Sequence, residues 1–262
     1  MNVLVLLAII LCSLMVLIGG TKGAKSFVSL FLNFGVILFI IFEMTDPKAD
    51  PNILAIIAGT VISCINLFFI NEVNSKTITA FISTVLTITI LLFIIYVLTE
   101  KAMIQGFGEE EIDELIGTYS LHLGVDFVKI ATAVVILSTI GAIIDVAISI
   151  TSPIEEIYRR HPSISGKDLF TSGLTIGKDI LGSNTNTLFF AFIGGYLALF
   201  LWFKDLSYSF GVIVNSKIFS AEMITIFCAG IGIALVIPIA SWVSSFYLVR
   251  RRKKKENNEV SK

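Results

Sequence analysis

Seven apolar runs, at about 2–20, 27–42, 53–70, 78–98, 127–150, 187–203 and 224–248, divide this 262-residue chain. A helix crosses the hydrocarbon layer with about 20 mainly apolar residues. Every backbone polar group must also be satisfied internally there. The expected fold is therefore an all-α, polytopic bundle of seven transmembrane spans in a single domain, 1–249, with a basic tail, 250–262, expected to be disordered. Charged residues make up only 15% of the chain, against about a quarter in soluble domains, which excludes an ordinary water-soluble globule. The first run has no Lys or Arg ahead of it and is read as a retained span rather than a signal peptide.

Lys and Arg gather on the cytoplasmic side of membrane proteins. The run Arg250 to Lys255 marks the C-terminal end as cytoplasmic, and seven spans then place the N-terminus outside. Fourteen Lys and Arg fall inside and four outside, with Lys129 within a span. Two long connections remain. Residues 100–124 carry the acidic run Glu109 to Glu114 and suit either an interfacial helix or a re-entrant hairpin. Residues 152–186 read as a cytoplasmic amphipathic segment. Ser165 and Asp168 match a capping box, and Leu169, Gly173, Ile176, Ile180 and Asn184 recur at helical spacing.

A charge inside a membrane helix marks a candidate functional site. Asp145 lies about six residues, or about 9 Å, from the inner end of its span. Ser138, Gly141, Ala142 and Ser149 share its helical face, which is small and polar and suits contact with another helix. The expected neighbour is Asn184, Thr185, Asn186 and Thr187, at the entrance to the sixth span. These residues either bond Asp145, coordinate a cation, or belong to a close helix contact made by Gly173, Gly177 and Gly182. Gly194 and Gly195 are further packing candidates. Asp126 and Lys129 are expected to pair at the outer end of the fifth span. Lys178 and Asp179 read as solvated, and Glu222 as a helix-start residue.

Other chemistries fail on spacing. Cys12, Cys64 and Cys228 sit in apolar runs, and His122 and His161 stand alone, so neither a metal site nor a cofactor is expected. Residues 19–26 approach a phosphate-binding loop, but Ala24 occupies the second required glycine and no strand precedes it. The last span holds no lysine for a retinal Schiff base. A net charge of −1 gives no reason to expect nucleic acid. No enzyme is expected.

Three stretches, SLHLGVDFVK at 120–129, GAIIDVAISI at 141–150 and GKDILGSNTNT at 177–187, resemble the YibE/F family of bacterial multispan membrane proteins. The family pattern often has arginine where Lys178 stands, and against that pattern the charge is kept and the guanidinium fork lost. The resemblance implies a bacterial plasma-membrane protein and, as partner, a related YibE/F subunit or a second copy. A fainter likeness joins six of the spans to SecD/SecF export subunits and resistance-nodulation-division transporters. In those proteins an Asp on the span corresponding to the Asp145 helix couples protons. Their large extracytoplasmic domain has no counterpart between Glu43 and Asn52. Two functions are carried forward. One is a proton- or cation-coupled transport or export subunit with Asp145 titrating and Ser149 and Asn184 to Thr187 lining its access. The other is a non-transporting scaffold of a heteromeric complex.

Overall fold

A computed structural model describes residues 2–46, 48–102, 104 and 126–260. Its helices are α1 (Val3–Met44), α2 (Pro51–Cys64), α3 (Ser75–Ala102), α4 (Phe127–Arg160), α5 (Gly166–Gly195), α6 (Leu197–Asp205), α7 (Phe210–Asn215) and α8 (Lys217–Val260), with a π-helical turn at Ile65–Phe69. Side chains that suit helix starts place several of them. Asp50 accepts from the Asn52 amide ahead of Pro51 at the start of α2, and Asp126 accepts from Val128 and Lys129 at the start of α4. At α5 the capping box forms: the Ser165 hydroxyl accepts from the Asp168 amide at 3.1 Å and donates to its carboxylate at 2.8 Å.

With α2 and its π-helical turn counted as one helix, five are long and apolar enough to cross a membrane, or six if the bent pair α5 and α6 is one span. Seven were expected. The difference lies in the first two runs, which form the one element α1, broken only at Gly20. Gly20 adopts φ +56°, a left-handed conformation that glycine reaches without steric cost. The bend there is sharp, because Gly23 packs directly on the Met15 carbonyl. In a straight helix eight residues are about 12 Å apart. A one-residue break leaves no polar loop between the two runs, and so no boundary of the expected kind.

The segment 152–186 does not form a separate surface element. Its first nine residues finish α4, and 166–186 belong to α5, which runs on into the sixth apolar run. That run is itself broken at Tyr196, where α5 and α6 meet at 57° after Gly194 and Gly195. The basic run after Val249 continues α8 to Val260, where an unstructured tail was expected. The choice between interfacial helix and hairpin at 100–124 falls almost wholly outside the described residues.

α4 is the centre. It is packed against α2, α3, α5 and α8, and its core side chains Ile143, Ile144, Ile150 and Ile154 are at most 1% exposed. Close approach is purchased with glycines: Gly232 of α8 sits against Ile143 and Leu91, and Gly59 of α2 against Ile140. Contacts at the two ends fix the helix directions. Lys76 and Glu155, Arg251 and Ser75, and Arg252 with the Pro162 and Ile164 carbonyls share one end. Asp50 with Lys129, Thr99 with Thr132, and Tyr196 with Glu222 share the other.

Candidate functional site

Nearly every face of α4 is covered, and one stripe is left open: Val134, Ser138, Gly141, Asp145 and Ser149. These positions follow the three- and four-residue steps of a single helical face. The open faces of α1, α2 and α3 are lined with Leu, Ile and Phe, as lipid contact requires. On α4 the only large exposed hydrophobe is Val134. The open side of the most enclosed helix is thus small and polar.

Asp145 was expected to be submerged in packing and bonded by its neighbours. It is exposed, and no described residue donates a hydrogen bond to its carboxylate. The Ser149 hydroxyl donates instead to the Asp145 backbone carbonyl, at 2.7 Å. The reason is register. Ile143, Ile144, Val146 and Ala147 take the faces that meet neighbouring helices, which turns residue 145 away from all of them. One turn below, Pro153 has no N–H to give to the Ser149 carbonyl, so that oxygen lacks its usual helical donor.

The second half of the expected site is elsewhere occupied. Asn184 donates its amide to the Ile180 carbonyl at 3.2 Å, and the Thr187 hydroxyl to the Ser183 carbonyl at 2.9 Å. Thr185 turns its methyl toward Gly230 of α8, and Asn186 is exposed. None of the four reaches Asp145. They do share its depth. α4 and α5 meet where Gly173 packs on Ile154, and they run in opposite directions. Nine residues from that point, about 13.5 Å along each axis, lie Asp145 on one helix and Gly182 on the other. The exposed positions of α5 around it, Lys178, Asp179, Gly182, Ser183, Asn186 and Thr187, carry no large hydrophobe.

The six glycines divide. Gly173 presses on Ser241 and Ile154, and Gly177 on Ile237, so neither has room for a Cβ. Gly141, Gly182, Gly194 and Gly195 face open space. At the opposite end, Lys129 does not pair with Asp126, whose carboxylate is spent on the α4 cap. It reaches α2 instead, donating to Asp50 at 2.8 Å. That bond holds the Asp50 carboxyl below the usual aspartate range, against the opposing effect of burial. Glu222 accepts from the Tyr196 hydroxyl at 3.2 Å, where the bent α5–α6 pair meets α8.

A seam of buried hydroxyls was missed. Ser75, Thr79, Ser83 and Thr87 stand four apart on α3 and are all buried. Thr79, Ser83 and Thr87 each donate to the carbonyl one turn back. The Ser244 hydroxyl of α8 donates to Thr79 at 3.2 Å, while the Thr139 and Thr151 hydroxyls of α4 have no partner among the described residues. The four-residue spacing was a readable signal. Also missed was the amide pair Asn33–Asn66, 2.9 Å apart, which ties α1 to the π-helical turn. Among the described residues no three His, Cys, Asp or Glu stand close enough to hold a metal ion.

No curated protein and no solved structure matches this chain, so the SecD/SecF-like arrangement finds no support there. A family model described as YibE/F-like protein matches residues 7–250. That span takes in α2 to α7, with the open stripe of α4, and most of α1 and α8. The chain is a multispan membrane protein by its helices, and by this match it belongs to the YibE/F-like family.

Proposed function

We propose that this protein is one subunit of a membrane transport or export assembly, and that the open stripe of α4 is the seam where a second multispan subunit packs. The partner is a related family member or a second copy. Its arrival encloses Asp145, Ser149 and the polar face of α5 at one depth, and the enclosed path carries protons or a small cation. In this reading the Gly20 bend divides α1 into two crossings, which returns the count to seven with the basic end cytoplasmic.

One observation carries the reading. The most enclosed helix exposes Ser138, Gly141, Asp145 and Ser149 where lipid contact calls for large apolar side chains. A charge at the middle of a span costs about 3 kcal/mol against lipid, so a protein or water-lined surround is favoured. Small residues permit the close helix approach that membrane association uses.

Two variants test the two halves separately. Ser138→Leu with Gly141→Leu should release the partner on co-purification, leaving the single chain folded. Asp145→Asn should keep the assembly but abolish pH-gradient-driven proton uptake in vesicles. Retention of the partner by the leucine variant overturns the seam. Normal uptake by Asp145→Asn overturns the coupling role and leaves the scaffold reading. That second reading rests on its own observation: none of the described charged residues is buried within this chain.

A further inference from the structure

A cleft of about 510 Å³ opens at the basic end of the molecule, between the start of α5 and the last turns of the α8 span. Its walls are apolar: Phe170, Trp242, Phe246 and Val249, with Arg250 and Lys253 at one rim. Trp242 and Phe246 are 58% and 55% exposed although they stack on each other, centroids 5.9 Å apart. The guanidinium of Arg250 sits 5.9 Å from the Phe246 ring centre.

The neighbouring cations are already committed. Arg251 donates to Ser75, and Arg252 to the Pro162 and Ile164 carbonyls. Arg250 and Lys253 engage no carboxylate in the described structure. They stand three apart on one helical face, and both line the cleft. Gly166, the first residue of the 30-residue α5, also lines the cleft, which turns a helix N-terminus toward the same rim. The Asp168 carboxylate of that first turn is taken by the Ser165 hydroxyl. From Trp242 to Arg250 is eight residues, or about 12 Å along the axis. The aromatic wall thus lies at acyl-chain depth when the cations are at the headgroups.

We propose that this cleft binds one anionic phospholipid, its phosphate between Arg250 and Lys253 and its acyl chains against Trp242, Phe246 and Phe170. The charge of the rim and the length of the apolar wall fit a lipid with a negative headgroup. This site is independent of the α4 seam.

The chain has two tryptophans, so Trp202→Phe leaves Trp242 as the sole reporter. The full-length protein is reconstituted in phosphatidylcholine vesicles containing a minority of brominated phosphatidylglycerol or brominated phosphatidylcholine. Trp242 fluorescence should be quenched several-fold more strongly by the brominated anionic lipid. Arg250→Gln and Lys253→Gln should each reduce that preference about fivefold. Trp202, read in a Trp242→Phe background, should show no preference in any variant, which also reports correct insertion. Equal quenching by the two lipids overturns the proposal, as does shielding of Trp242 from both, the result for a protein occupant. Loss of the preference on adding inorganic phosphate, which marks a site for the free anion, also overturns it. So does a preference that survives both glutamine substitutions.

Discussion

A carboxylate that accepts no hydrogen bond from the described residues, as at Asp145, contributes little to holding its own chain together. Asp145→Asn should therefore shift the unfolding free energy of the isolated protein in detergent by no more than about 0.5 kcal/mol. A larger loss, measured by thermal unfolding, means that the carboxylate has a partner within the chain. Asp50 is the opposite case, since its carboxylate caps α2 and also receives Lys129. Its folded pKa is depressed, so its stabilisation is present above the ordinary aspartate value of about 3.9 and is lost as pH falls through the folded value. Asp50→Asn should remove that acid-side loss and leave unfolding near neutral pH less dependent on salt. An unchanged midpoint-versus-pH curve between pH 5 and pH 3, values set about the ordinary carboxylate range, contradicts this. Sequence spacing singled out both Asp145 and Lys129. It missed their surroundings, because a helix position fixes a face and not what packs there. The Asp50–Lys129 pair joins residues 79 apart, beyond the reach of any local pattern.

At the scale of the element, glycine placement decides which helices touch. Gly173→Val and Gly177→Val drive a branched side chain into Ser241, Ile154 and Ile237, and each should cost about 1–3 kcal/mol. Gly182→Val meets open space within the chain, and because valine is a better helix former than glycine it should cost no stability. Thermal unfolding of the three variants side by side checks the ranking, and equal losses would show that the α5–α8 contact is misplaced. The amide pair Asn33–Asn66 offers a second measure. A double-mutant cycle to leucine should give a coupling of about 0.6–1.7 kcal/mol. The small-xxx-small spacing at 173 and 177 was legible because close helix packing needs that period. The interruption after residue 20 was legible in the polar stretch Thr21 to Ser26, but that these residues stay helical behind a single positive-φ glycine was not.

For the whole molecule, the apolar runs revealed the membrane class, and hydropathy indicates little more. It cannot tell a helix face that meets lipid from one that meets protein, because both lie in the same hydrocarbon layer. Side-chain character on the open faces makes that distinction here: large and apolar on α1 to α3, small and polar on α4. The same reasoning separates two regions of the surface. The small polar stripe of α4 suits another helix, and the apolar cleft at the basic end suits a lipid. If a second subunit packs on α4, its open stripe faces protein in the native membrane. Nitroxide labels at Gly141→Cys and Ser149→Cys, in a chain with Cys12, Cys64 and Cys228 replaced, report it through collision with oxygen dissolved in the bilayer. A label at Ile90→Cys, on the exposed apolar face of α3, serves as the lipid-facing reference. Oxygen should reach the two α4 labels several-fold less than the α3 label. Equal oxygen accessibility at Gly141→Cys, Ser149→Cys and Ile90→Cys would contradict it.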